Sequence, residues 1–150
     1  MTYTLQHLDS KEAFGASFDL MRILRPHITS SAVYVAQLAR QAEQDYRLLA
    51  AWDGAHIVGL AGYRELENLI YGRFIYVDDL VVSPDLQRSG LGGRLLAAVR
   101  DEAVKRQCDH FVLDTGLHKP LAQRFYFRQG LLARGMHFTQ KLRGEERALP

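Results

Sequence analysis

Apolar and polar residues alternate in several short stretches of the chain, and a period of two is typical of half-buried β-strands. Such stretches cover residues 3–8, 46–52 and 56–64, and a longer apolar run covers residues 74–82. Asp53-Gly54 joins the second stretch to the third and is a strong β-hairpin signal. Successive strands that short turns connect predict a largely antiparallel sheet.

Other stretches place apolar residues three and four apart, which is the period of an amphipathic helix. After a cap at Asp9-Ser10, one such stripe begins at Phe14, and Pro26 ends this helix. Residues 29–31 begin a second helix. A third helix covers residues 90–106, and its buried stripe is predicted to be Leu91, Leu95, Leu96, Val99 and Ala103.

Short strands are predicted in the last third of the chain, on both sides of a fourth helix. That helix begins at Pro120 and ends before Gly130, which suits the position after a helix end. Residues 110–114 follow the third helix directly, so this strand is expected to run parallel to residues 74–82 after a right-handed crossover. Residues 136–142 are predicted to form a last strand. Together the patterns predict one α/β domain over residues 1–150, with a mixed, largely antiparallel sheet and about four helices.

Composition narrows the possible functions. The net charge is only +2 and the basic residues are scattered, which argues against nucleic-acid binding. No apolar run is long enough to span a bilayer, and the single Cys108 cannot form an internal disulfide, so a cytoplasmic location is expected. The six histidines show no metal-ligand spacing, and no metal is predicted.

A glycine-rich turn, QRSGLGG at residues 87–93, connects the predicted strand 74–82 to the third helix. Helix starts present free N–H groups and the positive end of the macrodipole, so they attract anions such as phosphates. The turn has no Walker A pattern, and a dinucleotide fingerprint fails because Leu95 stands where Gly or Ala is required. A nucleotide-binding module that only shares this turn remains an alternative.

The turn resembles the pyrophosphate loop of the GCN5-related N-acetyltransferases, abbreviated GNAT. Gln87, Gly90 and Gly92 match the family pattern, and Ala122, Phe125-Tyr126 and Gly130-Leu131 match a second signature downstream. The resemblance implies a GNAT fold and transfer of an acetyl group from acetyl-CoA to a primary amine by direct attack, without a covalent enzyme intermediate.

The resemblance also implies which residues bind acetyl-CoA. The strand end Leu80, Val81 and Val82 is expected to splay from residues 111–113 and to pair with the pantetheine arm. The pyrophosphate is expected to lie on the turn and helix start, formed by Gln87, Arg88, Ser89, Gly90, Leu91, Gly92, Gly93 and Arg94. Relatives commonly carry Asn where this chain has Lys119, which leaves that pantetheine contact open.

Two residues are the catalytic candidates. Tyr126 stands at the tyrosine of the Phe-Tyr pair, where the family commonly protonates the leaving thiolate; the alternative is a packed helix tyrosine. Asp79 is the predicted base, or the anchor of a cationic acceptor, and the alternative is a salt bridge. Strand alternation places Asp78, with Tyr76, on the opposite face from Asp79, and these two residues are the other candidates for this role.

The acceptor is an amine of a small molecule or of a protein. The two N-terminal helices are expected to wall its site, and Arg22 and Arg25 there would attract an acidic acceptor or simply lie on an exposed helix face. A non-catalytic acyl-CoA sensor domain is the alternative function. An exposed edge strand leaves a homodimer open.

Overall fold

Five strands form one mixed sheet in the computed structural model, which describes residues 2–144. Their order across the sheet is β1-β2-β3-β4-β5; the first three neighbouring pairs are antiparallel, and β4 and β5 are parallel. This confirms the predicted mixed, largely antiparallel sheet. The strands are β1 Thr4–Leu8, β2 Arg47–Asp53, β3 His56–Asn68, β4 Gly72–Val82 and β5 His110–Leu113.

Five α-helices accompany the sheet in the described part of the chain, one more than predicted. They are α1 Lys11–Ala16, α2 Phe18–Leu24, α3 Ser31–Ala42, α4 Leu91–Lys105 and α5 Pro120–Arg128. The extra helix arises at Ser17, where the expected first helix divides into α1 and α2. The fully buried Ser17 hydroxyl donates to the carbonyl of Phe14 at 2.7 Å, and such local side-chain bonds compete with regular helix bonding.

Helices cover both faces of the sheet. On one face, Leu60 of β3 packs in a core with residues of α1, α2 and α3, such as Phe14, Leu20 and Leu38. On the other face, a Cβ at Gly59 would lie 2.8 Å from Leu95 of α4. The predicted α4 stripe is confirmed, since its buried residues are Leu91, Leu95, Leu96, Val99 and Ala103.

A β-bulge interrupts the pairing of β3 with β4. Gly62 pairs with Asp79, but the next β3 residue, Tyr63, pairs with Val77, which leaves Asp78 as an extra residue on β4. A bulge shifts the alternation of side chains by one residue and bends its strand. The expectation that Asp78 and Asp79 face opposite sides is therefore wrong: both carboxylates lie on the α1–α3 face.

The chain divides into two compact units, Met1–Leu113 and Asp114–Pro150. The first contains the sheet and α1 to α4. In the second, α5 ends with the expected glycine, because Gly130 has φ of 88° and the N–H of Leu131 donates to the carbonyl of Tyr126 at 3.1 Å.

The strand predicted at residues 136–142 is wrong, since this segment has no regular secondary structure. Met136 and Phe138 are 63% and 89% exposed. Alternation alone gives a segment two different faces, but a strand also needs a neighbouring strand to bond with. No helix among residues 2–144 is both long enough and apolar enough to cross a membrane.

Candidate functional site

The pairing of β4 with β5 stops halfway along β4. The parallel register covers Phe74 to Val77 against His110 to Leu113 and ends there. Beyond it, residues 78–82 pair only with β3 within the part of the chain that the structure describes. The bulge at Asp78 lies at the same point. The edge that contains Leu80, Val81 and Val82 is thus available for an extended ligand to bind as an added strand.

The glycine-rich turn follows β4 after a short 3₁₀ helix, Pro84–Leu86. Gly90 is the residue before α4 and has φ of 87°, a conformation that favours glycine, and a Cβ there would have nothing within 4 Å. Arg88 also has positive φ, 70°, although it is not glycine. Such backbone strain is often retained at ligand-binding turns.

Several N–H groups of this turn lack protein acceptors. The N–H of Arg94 is the first to bond within α4, to Gly90 at 3.1 Å, and the N–H of Leu91 donates to the Ser89 hydroxyl at 3.3 Å. The N–H groups of Gly90, Gly92 and Gly93 meet no acceptor among residues 2–144. Free N–H groups at a helix start with open space around Gly90 fit a diphosphate.

The backbone and the side chains of the turn differ in how well they are positioned to bind an anion. The structure brings residues 87–94 together as one continuous turn and helix start, as the sequence predicted. The guanidinium of Arg94, however, lies 5.9 Å from the ring centroid of Tyr3 on the neighbouring end of the sheet. Backbone amides therefore form the better-defined part of this anion site.

Asp79 lies at the centre of a polar cluster on the α1–α3 face. Its Oδ1 accepts from Nε of Arg25 at 3.0 Å, and its Oδ2 accepts from the hydroxyl of Tyr46 at 2.8 Å. Its side chain is 14% exposed. A carboxylate offers about four acceptor positions, so these partners hold it in place and leave it able to accept from a further donor.

Asp78 has a separate partner. Arg64 of β3 donates to both of its oxygens, at 2.8 and 2.7 Å, in a bidentate ion pair. Burial raises the pKa of Asp78, while the bonds from Arg64 act in the opposite direction. Both aspartates thus form salt bridges, Asp78 with Arg64 and Asp79 with Arg25, as the alternative predicted. Arg25 links the two aspartates, because its Nη2 donates to the backbone carbonyl of Asp78 at 2.7 Å.

The sequence did not predict Arg25, Tyr46 or Arg64 as partners of the two aspartates. One signal was present in Gly62, which pairs with Asp79: a Cβ at this position would lie 1.8 Å from the Tyr46 hydroxyl. The glycine therefore leaves room for the phenol to reach Asp79. The pKa of Tyr46 is raised well above its usual value, first by burial and then by the nearby Asp79 charge, so Tyr46 remains a neutral hydrogen-bond donor.

A cavity of about 260 Å³ opens beside Asp79. Its walls come from α2, α3, the segment between them, the residue before β2 and β4. Ser17 and Tyr34 share a hydrogen bond of 2.7 Å, and burial raises the pKa of Tyr34 to about 12. The lining residues are Met21, Arg25, His27, Ile28, Tyr34, Gln37, Leu38, Gln41, Tyr46 and Asp79.

The second unit contains Tyr126, the other candidate. It lies on α5 with its ring 5.2 Å from that of Phe125 in an edge-on arrangement. Lys119 is the residue before α5 and makes no side-chain cap. The capping that Asn commonly provides at this place is thus absent from α5.

The comparisons with known proteins agree with this geometry. The model of the acetyltransferase (GNAT) family matches residues 13–131. An acetyltransferase of Trypanosoma brucei is similar in structure at 20% identity, with a TM-score of 0.79 and coverage of 94% of this chain and 100% of that chain. A transcriptional regulator of Bacillus halodurans is similar at 18% identity, with a TM-score of 0.82 and coverage of 94% of this chain and 100% of that chain. An aminoglycoside N-acetyltransferase in complex with CoA is similar at 15% identity, with a TM-score of 0.80 and coverage of 95% of this chain and 97% of that chain.

No curated protein matches the sequence significantly. The chain therefore belongs to the GNAT family of acetyltransferases, whose acetyl donor is acetyl-CoA.

Proposed function

We propose that this protein is an enzyme that transfers an acetyl group from acetyl-CoA to a primary amine by direct attack. The observation that carries the proposal is the meeting of three features at the end of β4. Among residues 2–144, the strand edge after Val77 has no β5 partner, Asp79 lies on this edge beside a cavity, and the edge leads into amides at the start of α4 that meet no acceptor.

The chain's backbone would bind the donor along this path. The edge of Leu80, Val81 and Val82 would hold the pantetheine arm and polarise the acyl carbonyl through its N–H groups. The turn from Gln87 to Arg94 would hold the diphosphate. Acetyl-CoA supplies a thioester, whose acyl carbon is open to attack by an amine.

Asp79 would act on the acceptor. A primary amine has a pKa of about 10 and is mostly protonated at neutral pH, so it must lose a proton before it attacks. The carboxylate of Asp79 would anchor the ammonium and accept that proton. Tyr46 and Arg25 would hold this carboxylate in one orientation, which is the usual role of groups that support a catalytic side chain.

Tyr126 would act on the leaving group. The amine nitrogen forms its new bond to carbon as the carbon–sulfur bond breaks, and the Tyr126 hydroxyl supplies a proton to sulfur. The nitrogen then loses its second proton, which through solvent replaces the one that Tyr126 gave up. A thiolate with a pKa near 8.5 gains moderately from such a donor. One domain over residues 1–150 remains a prediction from the sequence.

The experiment is a thiol-release assay with acetyl-CoA and a panel of primary amines. Amine-dependent release, with competition by free CoA but not by ATP or NAD, would support the proposal. Competition by CoA without release would support the acyl-CoA sensor instead, and competition by ATP or NAD would support a nucleotide-binding module. A homodimer and a cytoplasmic location remain predictions from the sequence.

A further inference from the structure

The cavity beside Asp79 is lined by one carboxylate and one guanidinium, together with the imidazole of His27. Asp79 is the one carboxylate among its lining residues, and the Arg25 guanidinium lies 3.0 Å from it. The neighbouring carboxylate, Asp78, is neutralised by Arg64. Electrostatic complementarity sets specificity, and a cavity with balanced charges does not suit an acceptor with several ammonium groups.

Arg25 is only partly used by its protein partners. Its Nε and Nη2 donate to Asp79 and to the carbonyl of Asp78. Its Nη1 meets no acceptor within the described residues 2–144, and the side chain is 38% exposed at the cavity. A guanidinium with an unused, accessible N–H pair is well suited to bind a carboxylate.

The rest of the cavity is mostly apolar or aromatic, with His27, Gln37 and Gln41 as its other polar lining residues, and it is suited to a compact apolar group. Met21, Ile28 and Leu38 form its aliphatic walls, and the rings of Tyr34 and Tyr46 complete them. A volume of about 260 Å³ lies below the range of about 300–1,000 Å³ that is usual for sites of drug-sized ligands. One short side chain would fill it, and a chain of several sugar rings would not.

We infer that the acceptor is a small aminocarboxylate: an α-amino acid with an apolar side chain. The inference rests on the proposed function and names the substrate class of the same site. The amine lies at Asp79, the carboxylate at Nη1 of Arg25, and the side chain between the aliphatic walls. An acidic group and a basic group that are neighbours in the cavity match an amine and a carboxylate that are neighbours in the acceptor.

The test measures kcat/KM by thiol release for three acceptors: leucine, leucine methyl ester and spermidine. Each is compared at equal concentration of the uncharged amine, because esterification changes amine basicity. We expect leucine to exceed its methyl ester by at least about tenfold, since the ester lacks the charge-assisted bond to Arg25. Spermidine should be the poorest acceptor.

Two variants test whether the preference for leucine over its methyl ester depends on Arg25. Arg25→Gln should reduce the preference for leucine over its ester by at least about tenfold, and Arg25→Lys, which keeps the charge, should reduce it less. Arg22→Gln is the matched control, because Arg22 lies one turn earlier on α2, with its guanidinium over the ring of Phe18. It should leave the preference unchanged. Thermal melting and CoA titration check that each variant is folded.

The outcomes distinguish a failure of the aminocarboxylate acceptor from a failure of the acetyltransferase activity. Release with spermidine or the ester at least as fast as with leucine would overturn the aminocarboxylate and leave the acetyltransferase intact. An equal loss of preference in Arg22→Gln would also overturn it, because the effect would not belong to the Arg25 site. An absence of CoA binding, or of release with any amine, would overturn the proposed function and this inference with it.

Discussion

Two charged clusters lie on opposite faces of the same sheet, and only one of them borders a cavity. On the α4 face, Arg106 donates to Glu102 at 2.9 Å and to Asp45 and Glu65 at 3.3 Å. On the α1–α3 face, Asp79 accepts from Arg25 and Tyr46. The residues of the Arg106 cluster are absent from the cavity lining.

The two clusters have similar chemistry and different surroundings. In the Arg106 cluster, one cation serves three carboxylates that come from the chain before β2, from β3 and from α4, so it ties these segments together. In the other cluster, one carboxylate is held beside an unfilled space, at the point where β4 loses its β5 partner. Ion pairs alone therefore do not mark a site; a held charge that faces a space does.

The largest effect is expected from Asp79→Asn. Losing the base should reduce kcat/KM by about 10²–10⁴-fold and alter the pH–rate profile. Asp78→Asn is the matched control, since its carboxylate binds Arg64, and its loss of kcat/KM should stay below about tenfold. Steady-state kinetics of both variants test this. Equal losses, or a normal pH–rate profile for Asp79→Asn, would remove Asp79 as the base.

Tyr126→Phe should have the next largest effect, on turnover alone. Because the departing thiolate is only weakly basic, losing its proton donor should slow kcat by about 10–100-fold. The dissociation constant of CoA, measured by calorimetry, should stay the same, since the ring remains. The neighbouring Phe125→Leu tests packing of α5 without touching the hydroxyl. Unchanged turnover in Tyr126→Phe would exclude the acid role.

Arg106→Met should affect stability and leave chemistry intact. The variant keeps the aliphatic stem and leaves Glu102 without its cation, while Asp45 keeps its ion pair with Arg47 and Glu65 its ion pair with Arg73. Because Arg106 is 23% exposed, solvent screening limits the loss to about 1–2 kcal/mol in the free energy of unfolding. Urea denaturation measures it, and kcat/KM of the folded fraction should not change. A tenfold fall in kcat/KM would show that this cluster also serves the site.

The smallest effect is expected from His7, which shares a 2.7 Å hydrogen bond with Tyr63 on the α4 face. Burial lowers the pKa of His7 below 6.5, so the unfolded chain binds the proton first as the pH falls. Its contribution to stability is therefore complete at neutral pH and is lost on acidification below about pH 6.5. Urea midpoints at about pH 7.5 and 5.5 should differ less in His7→Gln than in the wild type. An equal difference would contradict this.

Periodicity predicted most of the fold because burial follows it directly. The α4 stripe was readable from apolar spacing, and the parallel β4–β5 pair from the strand–helix–strand order along the chain. The bulge at Asp78 was not, because it depends on the register between two strands, which one strand's sequence does not contain. Ser17 similarly breaks a continuous stripe through one buried hydroxyl.

The site could be predicted only in part. The glycine turn is local, so its residues and their conformation follow from a short motif. The partners of Asp79 come from 54 and 33 residues away, and only folding brings them together. The failed strand at residues 136–142 shows the opposite limit, since its alternation was clear but the described structure offers it no neighbouring strand.

The most direct test of the central claim is an amide-resolved NMR titration of the protein with CoA. The account predicts that the largest shifts occur at the N–H groups of Gly90, Gly92 and Gly93, with smaller ones along Leu80 to Val82. The N–H groups around Arg106 serve as the internal reference and should not move. Saturable binding that leaves the three glycine amides unshifted, or no binding at all, would contradict the account.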